Sequence, residues 1–356
     1  MPTLLEIAQG RQIPLTAGIM EAAQTEAPAL VAFDARTTSS NRFMALALTG
    51  LPTASGFKNY GEGFSSGTAT LSVREFEAKL AGAKVEVEMI SAARWDAEHS
   101  AAGTTYFDLQ VMSRMAAEMR HLERVIFHGS IQDAKGFPGL KELTPFVSTN
   151  VIELTEEPSD TDYVRSVLDA GGATATTASS VYSVVHGPLD CQLVVCNDGG
   201  GELFYMTEPM RQHIAPDSNA PTATLEHLIT QIHGHFGVAV SGMNQTPNSV
   251  IPTQYSVRRL ANLTAETACK LNDAKMELLA DSHGNGKRPS QFYMSHRSGR
   301  QLAESRSATS VTLFLGGGGN AANNTATVRA ARPMDWEGIP IVYTAAIGNA
   351  DAIETE

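Results

Sequence analysis

The period of the hydrophobic positions changes several times along the chain, and each change marks an element. From Tyr106 to His128 there is no Gly and no Pro, and Val111, Met112, Met115, Met119, Leu122 and Ile126 recur at helical spacing. Apolar residues at i, i+3, i+4 and i+7 line one face of a helix. At 1.5 Å per residue this helix is expected to be about 35 Å long. Thr104 or Thr105 can cap its start, Asp108 suits its first turn, and Gly129 is expected to stop it just past its last residue.

Upstream, residues 68–74 and 83–89 alternate apolar and polar positions at period two, amid Gly56, Gly61, Gly63, Gly67 and Gly82. Two such runs joined by glycine-rich links predict a long β-hairpin. Its polar far end suits a projecting loop. The first 45 residues mix short apolar stretches with Gly10, Pro14 and Pro28 and predict a weakly structured arm. Downstream, residues 181–185, 192–196, 255–260 and 292–294 predict strands. Residues 225–232, 264–281 and 297–305 predict helices. Gly316 to Gly319, then Asn320 to Asn324, predict a flexible link. Trp336 to Tyr343 predicts a turn and a buried strand. The class is mixed α+β.

Composition narrows the function. The chain has 356 residues, 42% hydrophobic and 18% charged, which is globular material for two medium domains. It has no run of 18 apolar residues, so no spanning helix is expected. Met1 to Arg11 lacks the basic-then-apolar order of a secretion leader, so synthesis in a cytoplasm is expected. Cys191, Cys196 and Cys269 are too few, and odd in number, for a disulfide framework, and are expected to be buried thiols. The formal charge is −12, and no basic cluster exceeds the pair Arg258-Arg259. A sequence-specific nucleic-acid reader is therefore not expected. An acidic wall can still enclose DNA without sticking to it.

No candidate for chemistry survives its geometry. The glycines at 316–319 are followed by an Asn-Ala linker and not by the Lys-Ser or Lys-Thr of a phosphate loop. His233 and His235 fall on one side of a strand, but Cys191 and Cys196 lie too far upstream to add a third metal ligand. Ser295-His296-Arg297 with His186 suggests a nucleophilic triad, yet no Gly-x-Ser-x-Gly elbow exists. Glu118 and Glu123 point in different directions on their helix and read as an acidic solvated or interface face. No catalytic residue, cofactor or metal is expected.

The order of the elements is more specific than any one of them. A glycine-rich hairpin ends in Lys84-Val85-Glu86-Val87-Glu88-Met89. The long helix ends in Glu123-Arg124-Val125-Ile126-Phe127-His128-Gly129-Ser130. Gly136-Phe137-Pro138-Gly139-Leu140 follows, then Gln291-Phe292-Tyr293-Met294-Ser295-His296-Arg297, and finally Gly338-Ile339-Pro340-Ile341-Val342. This series resembles the major capsid proteins of tailed bacteriophages with the HK97-like fold. Residues 180–187 and 255–263 resemble one subgroup of that family. The resemblance implies an N-terminal arm (1–50), an extended hairpin loop (51–90) and a peripheral domain (91–150) carrying a spine helix at 106–128. It further implies a mainly axial domain (151–335), with strands near 236–263 as candidates to return to the peripheral domain, and a C-terminal strand (336–356). The implied partners are identical copies in hexameric and pentameric capsomers, a portal, and a separate scaffold or decoration protein, around enclosed double-stranded DNA. Many relatives carry a long scaffolding segment before the arm; here the arm begins almost at Met1, so a separate scaffold or none is expected. A tail-tube or decoration protein is the nearest rival, and an α+β hydrolase a more distant one.

Overall fold

The computed structural model describes residues 27–50, 57–63, 66–68, 70–98, 105–130, 132–146, 151–153, 166–174, 177–188, 190–196, 204–214, 225–240, 256–283, 287–306, 308–311, 326–328 and 330–355. Most of the expected arm and the link at 316–324 lie outside these residues. The helices are α1 (Pro28–Ala32), α2 (Met89–Glu98), α3 (Tyr106–His128), α4 (Leu140–Leu143), α5 (Asp273–Asp281) and α6 (His296–Ser305). The strands run β1 (Ala35–Thr38), β2 (Arg42–Gly50), β3 (Thr70–Glu77), β4 (Lys79–Glu88), β5 (Val151–Glu153), β6 (Val167–Asp169), β7 (Ser179–Val184), β8 (Gln192–Cys196) and β9 (Tyr205–Met206). They continue with β10 (Met210–Ile214), β11 (Leu225–Ala239), β12 (Val257–Leu263), β13 (Gln291–Met294), β14 (Ala308–Val311), β15 (Ala326–Val328), β16 (Asp335–Trp336) and β17 (Ile339–Tyr343).

The chain divides into two compact units, one of residues 1–45, 73–142 and 192–239, the other of residues 46–72, 143–191 and 240–356. In the first, α3 spans the expected residues. Its N-cap Thr105 accepts a hydrogen bond from the Asp108 amide at 3.1 Å and donates its hydroxyl to the Asp108 carboxylate at 2.7 Å. Val111, Met115, Met119, Leu122, Ile126 and Phe127 form the buried face. Gly129 ends the helix, but not in the left-handed conformation expected of a glycine stop, since its φ is −57°. Its role is close approach. A Cβ there would lie 2.2 Å from the Phe137 carbonyl oxygen, and one at Gly139 would lie 2.5 Å from the Gly129 nitrogen. The turn after the helix thus folds back on its last carbonyls, with the Gly139 amide donating to Gly129 O at 2.9 Å.

The described part of the expected arm is ordered. The carboxylate of Glu123 accepts the Ala29 amide at 2.7 Å, which fastens α1 to α3, and β1 pairs in parallel with β8. The six-stranded sheet of this unit centres on β11, which pairs antiparallel with β4, β8, β9 and β10. The expected helix at 225–232 is therefore a strand. Leu225, Leu228, Ile229 and Ile232 mimic a helical period because this strand buries residues on both of its sides, which erases alternation. The β-branched Ile229, Thr230 and Ile232 suit the sheet.

The expected hairpin pairing also differs. Its two runs are strands, but β3 pairs with β2, and β4 pairs with β11 along its whole length. Alternation fixes which face of a strand is buried; it does not name the partner. Gly82, expected in a bending link, instead sits where a Cβ would be 2.3 Å from the Ile232 carbonyl oxygen.

The second unit is built on a seven-stranded mixed sheet in the order β16-β17-β13-β7-β12-β6-β5. One face is covered by α5 and α6 through Leu271, Met276, Leu279 and Leu302, which meet Val181, Leu260, Phe292, Ile341 and Trp336. The helix expected at 264–281 is shorter. A 3-10 turn (Thr267–Cys269) comes first, and Asn272 then caps α5 by accepting the Lys275 amide at 2.9 Å. Residues 192–239 lie in the unit of the long helix, whereas β12 does not, so the expected return near 236–263 falls earlier in the chain.

Candidate functional site

The polar residues that suggested chemistry are spent on structure. Ser295 is fully buried and caps α6 by accepting the Ser298 amide at 3.2 Å. His296 stacks on Tyr343 and meets the Arg332 guanidinium at 3.1 Å. His186 donates from Nδ1 toward the Cys191 carbonyl at 3.3 Å, and its Nε2 lies 2.9 Å from the Tyr293 hydroxyl. Arg297 donates to the backbone carbonyls of Thr177, Leu263 and Asn349. Glu123, expected on an acidic solvated or interface face, is buried within the chain, while Glu118 pairs with Arg114 at 3.3 Å. Cys191, Cys196 and Cys269 are free and buried.

The sequence reading missed two buried arrangements. Ser183 meets His283, but both are sealed from solvent, so no substrate reaches the hydroxyl. The pair Arg258-Arg259, the longest basic run of the sequence, is buried in β12. The guanidinium of Arg259 pairs with Glu354 and donates to Ser180 Oγ at 3.3 Å and Thr144 O at 3.2 Å. Asn262, at φ 54°, aligns that partner. Its amide accepts from Glu354 N and donates to Glu354 O, both at 3.0 Å, and donates to Asp169 at 2.9 Å.

Asp273 gathers Arg306 and the Trp336 indole N–H, tying α5, α6 and the C-terminal turn together. The hydrogen bonds and charge of Arg306 hold the Asp273 carboxyl below the usual carboxylate range. A depressed carboxyl stabilises the fold above its unfolded pKa of about 3.9, and the contribution disappears as pH falls through the lower folded value. Asp273→Asn should therefore lower the urea midpoint at pH 7, and the gap to the parent should close below about pH 4. A gap independent of pH would contradict this.

What remains for function is uncovered apolar surface. Leu80, Tyr205 and Met210 are exposed. They stand opposite His235, His233 and Ile229 of β11. Those three positions are separated by even numbers of residues, so one face of the sheet carries them all. His233 packs its ring on Tyr205 at 5.4 Å. Among the described residues no group of three His, Cys, Asp or Glu could hold a metal ion, and no helix is long and apolar enough to cross a membrane. The link at 316–319 is outside the described residues. Phe57 and Tyr60 are fully exposed, at 107% and 110%. Phe57 precedes, and Tyr60 lies within, a small turn closed by Asn59 and Glu62: the Glu62 amide donates to Asn59 O at 3.1 Å, and the Asn59 amide donates to the Glu62 carboxylate at 3.1 Å. Gly61, at φ 92°, completes it.

These residues define a mixed α+β protein whose buried polar groups serve the fold and which leaves Phe57, Tyr60 and Tyr205 exposed. No family model matches the chain, and no curated protein matches it. Among solved structures it is similar to a chain of bacteriophage Epsilon15, with 13% identity over 90% of this chain and 87% of that one and a TM-score of 0.47. It is similar to the bacteriophage JBD30 capsid at 11% identity, 88% of each chain and a TM-score of 0.41. The JBD30 procapsid gives 14% identity, 93% of this chain, 97% of that one and a TM-score of 0.39.

Proposed function

We propose that the chain is the major capsid protein of a tailed bacteriophage: a structural subunit that assembles with copies of itself into hexamers and pentamers of an icosahedral shell around double-stranded DNA. The observation that carries this is the bare apolar surface, namely Phe57 and Tyr60 on a closed turn and Leu80, Tyr205 and Met210 on one sheet face. Exposed apolar side chains on a turn and on a sheet face are candidates for contact with a partner, and a shell supplies identical neighbours by symmetry. The order of elements in the sequence supports the same reading, with α3 as the spine helix, the extended loop within 51–90 and the seven-stranded sheet as the axial domain. The chain performs no catalysis in this account. A portal, and a scaffold or decoration protein, complete the particle, which forms in the bacterial cytoplasm.

With a charge of −12 and no basic run longer than a pair, subunit contacts come from apolar and hydrogen-bonded surfaces. Co-assembly on nucleic acid would need many cationic contacts to phosphate. Nuclease-treated protein, with its scaffold if one is used, should assemble, and moderate salt should assist by screening like charges. Particles that form only with added nucleic acid and dissolve steeply as salt rises would refute this driving force.

A further inference from the structure

The solvent face of α3 carries a charge pattern that the linear order of the residues hides. Arg114, Arg120, His121 and Arg124 are exposed, and His128 is half-buried. At about 100° per residue, positions 114, 121, 124 and 128 fall within about 80° of one another, with Arg120 at the edge of that arc. They run along about 21 Å of the helix, on the side away from Val111, Met115, Met119, Leu122 and Ile126. The three acids of the helix do not offset them. Asp108 serves the N-cap, Glu123 is buried and holds the Ala29 amide, and Glu118 pairs with Arg114 at 3.3 Å. A solvated helix face usually interleaves the two signs. Here, in a chain of net charge −12, one face gathers three arginines and two histidines.

We infer that this stripe binds the phosphate backbone of duplex DNA, without regard to base sequence. The inference rests on the shell reading, which supplies the DNA, and deepens it by naming the surface of the subunit that touches it. Basic residues clustered along a helix are the electrostatic footprint of nucleic-acid binding. A guanidinium fork matches phosphate through two parallel hydrogen bonds. The stripe is longer than the major groove is wide, about 12 Å, so its ends can reach phosphates on both edges of the groove. Between Arg114 and His128 the one other exposed residue is Ala117, small enough to let a backbone approach. A protein partner would call for aromatic or large apolar anchors, and no exposed one stands in the stripe. So few cations cannot drive assembly on nucleic acid. They can hold packaged DNA loosely against the wall, in a contact that salt weakens.

The test is binding of a labelled duplex of about 20 base pairs and mixed sequence to the purified full chain, read by fluorescence anisotropy from about 50 to 200 mM salt. Log affinity should fall with log salt at a slope of about −2.7, which is about 0.9 for each arginine contact. The triple variant Arg114→Gln, Arg120→Gln, Arg124→Gln keeps good helix formers at exposed positions. It should melt as the parent does and lose about tenfold or more in affinity at the lowest salt. A control with the same charge change elsewhere, Arg211→Gln, Arg288→Gln, Arg300→Gln, uses three well-exposed arginines and should bind as the parent does. Glu118→Gln, which removes the acid beside the stripe, should tighten binding. Equal losses in the triple variant and the control would reduce the effect to net charge and overturn the stripe, as would parent-like affinity in the triple variant. Displacement of the duplex by polyglutamate at lower concentration than by unlabelled duplex would make an acidic polypeptide the occupant and overturn DNA. A folded triple variant that no longer forms the parent's particles would make the stripe a subunit contact, overturning this inference and leaving the shell reading standing. Stripe-dependent binding by a parent chain that never forms particles would support the stripe and overturn the shell reading.

Discussion

Met119→Pro is expected to leave no folded subunit. The side chain is 4% exposed in the middle of α3, and the backbone amide there belongs to the helix ladder. Proline removes that hydrogen bond and clashes with the preceding turn, at about 3 kcal/mol or more. Losing a buried methionine adds roughly 2–5 kcal/mol. The sum rivals the whole stability of a typical domain, about 5–15 kcal/mol. The loss would also spread. Glu123 lies on the next turn of the helix and fastens α1, and Gly129 anchors the turn that follows. Soluble expression and circular dichroism check this, and a soluble Met119→Pro chain with parent-like melting would contradict it. Glu118→Ala is the control: it removes a helix-surface ion pair worth a few tenths of a kcal/mol.

The second large effect concerns Glu354. Arg259 is 1% exposed, and Glu354 is its carboxylate partner. Removing one member of a buried pair leaves an uncompensated charge, which costs about 3–5 kcal/mol. Glu354→Ala should therefore shift the urea midpoint strongly. Arg259→Met alone removes the cation instead of stranding it, and the double variant should cost well below the sum of the two singles. Additive effects would mean that the two groups do not act as a pair. Asn262→Ala should weaken the same contact, because its amide sets the backbone of Glu354.

Much of this was legible in the sequence, and the failures have physical causes. The long helix was legible because its stripe is uninterrupted over 23 residues and its cap is local. The strands β7, β8, β12 and β13 were legible from short apolar runs between turn residues. The strand β11 was not, because a strand buried on both sides can carry a helical spacing by chance. The partners of β3 and β4 were not, because register and pairing are long-range choices. The projecting loop was legible from its glycines, but its bare side chains were not, since Phe57 and Tyr60 look like any aromatic residues until their exposure is known. The burial of Arg258 and Arg259 was not legible either, because nothing local marks the acid partner, 95 positions away in the case of Arg259.

The most direct measurement is electron microscopy of the purified, nuclease-treated full chain, with size-exclusion chromatography alongside. The account predicts closed shells, sheets, or rings of five and six subunits, lost on Tyr60→Ala while the subunit stays folded. A uniform monomer of 37.9 kDa at every concentration and salt, with or without scaffold, would contradict it.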